Sequence, residues 1–367
     1  MQKGKTVKIV QILPELNEGG VERGTMELSR EFVKRGHESI VISCGGRMVS
    51  IIKADGGRHI KLDVCSKNPF AALWRIYKLR KVLHELKPDI VHVRSRVPAW
   101  LVYFAKRGLE FKIVSTVHGF NSVNFYSSIM TKADAVICVS NSIKVYIQEH
   151  YHTPEKNITV IPRGIDLDKF NPQNIDHEFI SKFLQQYHLK NNFIITTVGR
   201  ITQLKDIETF IRAIAIAKET MLDLQGLIVG GVNKDKQNYF DGLKQLIHEL
   251  KLENEIIFTG SQNNVAEIYT LSNVVVSASK KPESFGRSVA EAIAMNTPVI
   301  ATNHGGVLDI IQEDINGYLV NVGDANELAA KIIKSKDLKV DGYKYIKDNF
   351  SLEQMVEKTL KVYKGIL

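Results

Sequence analysis

Short runs rich in Val and Ile alternate with amphipathic segments along this chain, in two successive series, and that alternation leaves little choice of architecture. Strands separated by helical segments are the pattern of α/β layers around parallel sheets. In the first series the strands are expected at 7–13, 39–43, 60–64, 90–93, 112–116, 135–139 and 159–161. Amphipathic helices fit between them: 21–35 ends at Gly36, 70–86 stops before Pro88, and 142–151 follows an N-cap at Asn141. From about 163 to 192 the pattern gives way to a polar stretch with Pro162, Gly164 and Pro172 and one short helix at 177–188, which reads as an interdomain linker. The second series follows, with strands at 192–198, 224–229, 255–258, 274–278 and 299–301 and helices at 206–219, 235–250, 265–271 and 288–295. With 367 residues, the chain has room for two such domains, and two doubly wound α/β domains facing each other across a cleft are expected.

Composition narrows the setting. Hydrophobic residues are 44% and charged residues 24%, the proportions of a globular protein and not of a disordered one. No apolar run reaches the length of a membrane span, and segment 7–13 carries Lys8 and Gln11 and lacks a cleavage site, so a cytoplasmic protein is expected. The three cysteines, Cys44, Cys65 and Cys138, match no zinc or C-x-x-C spacing and read as small buried side chains in a reducing compartment. Residues 1–180 hold 27 Lys/Arg against 18 Asp/Glu, whereas the remainder holds 22 of each, so the entire net charge of +9 belongs to the first half. A one-sided positive field attracts anions. No nucleic-acid reading module accompanies it, and no nucleic-acid partner is expected.

The most specific segment is 279–300, SKKPESFGRSVAEAIAMNTPVI. A buried strand delivers the chain into a loop ending at Phe285–Gly286, and a helix opens near Ser288 and Val289, so free N–H groups and the positive end of the helix dipole offer a seat for phosphate. Glu283 precedes that helix and Glu291 lies eight residues later, a spacing suited to different parts of one ligand; the competing readings are a solvated loop acid and a surface helix acid. After strand 192–198 come Gly199, Arg200 and, five residues on, Lys205. A planar fork and a mobile ammonium at a strand's carboxyl end suit a diphosphate leaving group, although a solvated loop is the bland alternative. Gly19–Gly20, in LNEGGVERG, permits close backbone approach without being a dinucleotide fingerprint. His118 follows strand 112–116 in STVHGF; most lone histidines are structural.

Taken in order, GGVER, VHG at 117–119, VIPRGID at 160–166, GR with Lys205, PESFGRSVAEAIAMNTPVIA, HGGVLDII and NGYLV resemble the retaining glycosyltransferases of family 4, built on the GT-B fold, of the bacterial envelope-polysaccharide type. The resemblance implies an acceptor-binding domain over 1–175, a nucleotide-sugar donor domain over 176–345, and a carboxyl-terminal helix over 346–367 that packs back on the first domain. It implies that Arg200 and Lys205 bind the donor diphosphate, helped by backbone at Gly19, Gly20, Gly199, Phe285, Gly286, Ser288 and Val289. Glu291 would then hold ribose hydroxyls, Glu283 a hydroxyl of the transferred sugar, and His118 another from the opposite domain. Two positions depart from the family pattern: Asn296 stands where Gly is usual and Asp309 where Glu is usual.

The expected activity is retaining sugar transfer from a nucleotide-sugar, UDP favoured over GDP, to a glycan or lipid-linked acceptor of lipopolysaccharide or capsule. A GT-B epimerase and a non-catalytic nucleotide-sugar-binding partner are the alternatives. Cations and a helix N-terminus supply the charge that a departing diphosphate needs, so no metal and no cofactor is expected. The only D-x-D string in view, Asp166 and Asp168, falls in the linker and reads as a charged turn. Arg94 and Arg96 are candidate acceptor contacts. Helix 70–86 carries Arg75, Lys78, Arg80 and Lys81 beside Leu73, Trp74, Ile76 and Tyr77, and with Arg96, Trp100 and Lys106 fits a peripheral position on an anionic inner membrane surface.

Overall fold

The computed structural model describes residues 6–17, 19–68, 70–189 and 192–367; Glu18 of the Gly19–Gly20 motif lies outside them. Among the described residues, thirteen strands form two sheets. The first contains β1 (Lys8–Ile12), β2 (Glu38–Ser43), β3 (Arg58–Lys61), β4 (Ile90–Val93), β5 (Lys112–Val117), β6 (Ala135–Cys138) and β7 (Ile158–Val160), in spatial order β3-β2-β1-β4-β5-β6-β7. The second contains β8 (Phe193–Val198), β9 (Leu224–Val229), β10 (Ile256–Gly260), β11 (Val274–Ser277), β12 (Val299–Thr302) and β13 (Gly317–Val320), in order β10-β9-β8-β11-β12-β13. Every pairing is parallel. Most of these strands are buried on both faces by crossover helices and read as continuous Val/Ile runs, which made them legible; edge strand β3, exposed at both ends, lies earlier than the expected 60–64, and β13 was not expected.

Each sheet reverses its winding once, between β1 and β4 and between β8 and β11. Ligands of open α/β sheets bind outside the carboxyl ends of the strands at that reversal. The loops after β8 and β11 carry Gly199–Lys205 and Ser279–Gly286; those after β1 and β4 carry Gly19–Gly20 and Arg94.

The chain divides into one unit of Met1–Gly164 with Leu352–Leu367 and a second of Ile165–Ser351. The boundaries therefore fall at 164/165 and 351/352 instead of 175/176 and 345/346. The reason is burial: Ile165 and Phe170, expected in a linker, sit in the second unit's core with Tyr269 and Phe285, and helix Tyr343–Phe350 contributes Ile346 and Phe350 to the same cluster. Helix His177–Gln186 forms as expected, but it packs Phe183 against Ile194 and Leu227 instead of lying in a linker. The last helix, Leu352–Ile366, lays Met355, Val356, Leu360 and Tyr363 against Ile9, Phe32 and Ile90 of the first unit.

Two local expectations need correcting. Helix Asn141–Tyr151 is capped by Ser140, whose hydroxyl accepts the Ile143 N–H, and not by Asn141. Only Cys138 is a buried free thiol, pushed up to about 12 by burial; Cys44 and Cys65 are joined in a disulfide, and Cys65 is exposed. Adjacent parallel strands β2 and β3 bring their following loops together, a relation that spacing alone conceals. Asn296 has a left-handed backbone (φ 61°) just beyond helix Arg287–Ala294, and its side chain accepts the N–H groups of Gly342 and Tyr343. It fills the glycine position of a helix terminus while adding two bonds that glycine lacks.

Candidate active site

In the second unit, β8 ends at Val198 and the chain turns through Gly199 (φ 152°). A Cβ on Gly230 would run into the Gly199 carbonyl, which excludes a side chain there, and at Gly199 the positive φ makes any side chain strained beside Lys205. Arg200 projects into solvent. Lys205 closes a short 3₁₀ turn (Gln203–Lys205), after which Asp206 caps helix Ile207–Lys218.

Lys205 does not stand beside Arg200 as an independent cation. Its Nζ donates to Glu283 Oε1 at 2.5 Å, and Ser279 Oγ donates to the same oxygen at 2.7 Å. Burial opposes ionisation of Glu283, but the Lys205 charge and these two hydrogen bonds prevail and hold its carboxyl below the usual range. The solvated-acid reading is thereby excluded. The loop bearing Glu283 is fixed from the other side: Gly306 N–H donates to Glu283 O at 2.6 Å, and the Ser279 carbonyl accepts from Thr302 Oγ1 at 3.0 Å and bonds His304 Nε2 at 2.9 Å. A Cβ on Gly305 would lie 2.4 Å from Glu283 O, which explains the paired glycines of HGG.

Gly286 (φ 99°) then opens helix Arg287–Ala294, leaving the N–H groups of its first turn without intrahelical acceptors. Phe285 and Val289 bury their side chains in the core, so what they offer a ligand is main chain. Ser288 lies at the same turn and is half-buried. Glu291 is 7% exposed, which excludes the surface-acid reading; its Oε1 accepts from Arg287 Nε at 2.9 Å and its Oε2 from Tyr269 Oη at 3.3 Å. Arg287 is a partner that the sequence analysis missed, although its i, i+4 spacing to Glu291 was a signal.

The first unit holds a separate polar cluster. Gly19 (φ 141°) precedes helix Gly20–Lys34, and the Arg163 guanidinium occupies the space where a side chain at Gly24 would stand and touches the open side of Gly20. Arg94 is 3% exposed and donates to Gln11 Oε1 at 3.2 Å; burial pushes its pKa down to about 10. His118 is half-buried with both ring nitrogens shielded and without hydrogen-bond partners. Burial, then Arg163, Arg94 and His92, pushes its pKa well down, so the ring is neutral at pH 7. Beneath it, His92 bonds Tyr363 Oη through Nδ1 and Thr116 Oγ1 through Nε2, each at 2.6 Å.

Arg94 and Arg96 face different surroundings. Arg96 donates to Ser127 Oγ at 3.0 Å and covers the Tyr126 ring, at the edge of an exposed aromatic face. That face joins helices Ala72–Leu86 and Arg96–Ala105, with Phe70 95% and Leu73 80% exposed and Trp74, Tyr77, Phe104 and Phe125 also in solvent. Lys78 lies over Trp74 and Lys132 over Phe125. Arg75 leaves the predicted basic face: it is buried, binding the carbonyls of Ser66 and Asn68. The Asp166–Asp168 string is a turn in which Asp166 Oδ1 accepts the Asp168 N–H.

Comparison with known proteins gives one consistent assignment. Residues 180–349 match the family described as glycosyl transferases group 1, and residues 18–169 match glycosyltransferase family 4. The crystal structure of a glycosyltransferase from Rickettsia africae superimposes with a TM-score of 0.91 at 35% identity, covering 99% of each chain. The N-acetyl-alpha-D-glucosaminyl L-malate synthase of Bacillus anthracis is 27% identical over 93% of this chain and 92% of its own. An Escherichia coli UDP-Gal:alpha-D-GlcNAc-diphosphoundecaprenol alpha-1,3-galactosyltransferase is 29% identical over 72% of this chain and 70% of its own.

Proposed function

The chain belongs to the family 4 glycosyltransferases of the GT-B fold, and from that membership we propose that it transfers a sugar, with retention, from a UDP-sugar to a glycan or lipid-linked acceptor of an envelope polysaccharide. The observation that carries this reading is the convergence of Arg200, the Lys205–Glu283 pair and the first turn of helix Arg287–Ala294 at the carboxyl ends of β8 and β11.

Breaking a sugar–phosphate bond requires stabilising charge that gathers on the departing diphosphate. Arg200 and Lys205 supply cations for it and the helix terminus supplies N–H donors, so the mechanism calls on no metal. Glu283 holds the Lys205 ammonium in place and presents its remaining oxygen to a hydroxyl of the transferred sugar. Glu291 accepts from the ribose. The leaving phosphate assists deprotonation of the acceptor on the face it vacates, which retains the anomeric configuration.

A UDP donor and a lipid-linked acceptor are supported by the name of the E. coli relative. No helix among the described residues is long and apolar enough to cross a membrane; the exposed aromatic face with Lys78, Lys81 and Lys132 instead suits peripheral docking on the anionic inner face of the plasma membrane.

The test is thermal stabilisation by UDP, GDP, ADP and CMP, followed by hydrolysis and transfer assays with the matching nucleotide-sugars and NMR of the product anomer. A ligand at 100 times its Kd adds about 2.7 kcal/mol to the native state, a readily measured melting shift. Stabilisation by none of the nucleotides overturns the reading, and an inverted product overturns retention.

A further inference from the structure

Because β2 and β3 are parallel neighbours, the loops that follow them run side by side, and three ligand-type side chains meet there: Cys44, Asp63 and Cys65. Asp63 Oδ1 lies 3.8 Å from Cys44 Sγ and 3.6 Å from Cys65 Sγ. We propose that, once the Cys44–Cys65 bond is reduced, its two sulfurs and Asp63 form a three-ligand site for a soft divalent cation of the zinc class. This site lies apart from the residues assigned to sugar transfer and does not depend on that assignment.

The donor set and its spacing carry the argument. Two thiolates and a carboxylate select zinc-like ions over magnesium or calcium. Around a tetrahedral zinc with Zn–S of about 2.3 Å and Zn–O of about 2.1 Å, a sulfur and an oxygen stand about 3.6 Å apart. Asp63 already has that separation from both sulfurs, so only the two sulfurs need to move, from bonding distance to about 3.8 Å. Asp63 is also held in place, its Oδ1 accepting the N–H groups of Cys65 at 3.3 Å and Ser66 at 3.1 Å, the outer bonds that orient ligating carboxylates. Three anionic ligands on a dication leave one negative charge; Lys61 and Lys78 line the adjoining 340 Å³ pocket and compensate it, and the pocket gives room for a water as fourth ligand.

The chemistry balances. A dithiol reductant donates two electrons and two protons to the disulfide, becoming a disulfide itself, and cation binding then releases the two thiol protons. In either state the two loops stay tied. Cys44 is followed by Gly45, whose carbonyl accepts the Leu16 N–H at 2.9 Å, and Cys65 is followed by Ser66, held by Arg75. The cation thus replaces the covalent link where the surroundings are reducing.

The experiment uses the full chain, reduced with dithiothreitol and desalted without oxygen, then titrated with Co²⁺ alone. One equivalent should produce thiolate-to-cobalt charge-transfer absorption, which Zn²⁺ abolishes by displacement. The oxidised chain and Cys65→Ser should show none, and Asp63→Asn should weaken binding about tenfold or more. Thiol titration before adding metal verifies that Cys44 and Cys65 are free. Two accessible thiols without charge-transfer absorption, a disulfide that resists reduction in the native chain, or unchanged absorption in the Cys44→Ser/Cys65→Ser variant each overturn the proposal.

Discussion

Lys205 and Glu283, 78 residues apart in sequence, are joined through a 2.5 Å contact between Nζ and Oε1. The ammonium that meets a diphosphate in the proposed reaction is therefore oriented, before any donor arrives, by the acid assigned to the sugar. Lys205→Ala and Arg200→Ala should each lower kcat by about 10²–10³, equivalent to about 2.7–4 kcal/mol of barrier. Lys205→Ala should in addition raise the Glu283 pKa, since its main compensating charge is removed. Steady-state kinetics with folding verified by circular dichroism checks both; wild-type turnover in either variant removes that residue from the site.

Glu291 and Glu283 should separate by ligand. Glu291→Ala should weaken UDP and the intact donor by similar factors, about tenfold or more, whereas Glu283→Ala, which loses a sugar contact and also frees Lys205, should weaken the intact donor more than UDP. Because Glu291 also serves Arg287 and Tyr269, its alanine variant should lose about 1–3 kcal/mol of stability. Titration calorimetry and denaturant unfolding measure the two effects. Unchanged UDP affinity in Glu291→Ala would show that the carboxylate serves Arg287 and Tyr269 alone.

Sugar transfer by the oxidised chain should survive excess EDTA, since in the proposed reaction Arg200, Lys205 and the helix terminus carry the leaving-group charge. Testing with Cys44–Cys65 intact keeps the thiol site out of the measurement. A loss reversed by Mg²⁺ or Mn²⁺ would refute metal-free transfer.

The first unit should be acid-sensitive. His92 and His118 both have pKa values well below the ordinary histidine value, chiefly through burial. The unfolded chain therefore binds more protons than the folded one below pH of about 6.5, and stability that is complete above that pH falls as acid is added. Melting curves from pH 7 to pH 5 should show a shallower decline in His118→Gln than in the wild type. Equal slopes would mean that His118 already titrates normally.

Trp74→Ala with Phe104→Ala should reduce binding to vesicles of anionic phospholipid, each exposed aromatic contributing about 1.5–3 kcal/mol when its surface leaves water. Sedimentation with zwitterionic vesicles as control makes the comparison; equal binding by wild type and variant assigns this face another role.

Much of the fold was open to reading because parallel strands buried on both faces leave unbroken Val/Ile runs, and because Gly199 and Gly286 mark where backbones must turn closely. The placement of donor-type residues at the ends of β8 and β11 followed from the same logic. What stayed hidden depends on pairing between distant segments. Nothing near Lys205 announces Glu283, nothing near His92 announces Tyr363, and the 21-residue separation of Cys44 and Cys65 matches no motif until β2 and β3 are laid side by side. The polar composition of 163–192 misled for a related reason: Ile165, Phe170 and Phe183 are too sparse to form a pattern, yet each has a buried seat.

The return of helix Leu352–Ile366 to the first unit imposes an order on synthesis. A ribosome makes most of that unit before the second, but His92 has no Tyr363, and Ile9, Phe32 and Ile90 lack their covering side chains, until the final turns emerge. The second unit, continuous from Ile165 to Ser351, has all its own residues earlier. The half of the protein translated first is therefore the half completed last, and a nascent chain stalled short of residue 352 would carry one finished domain and one with an uncovered sheet.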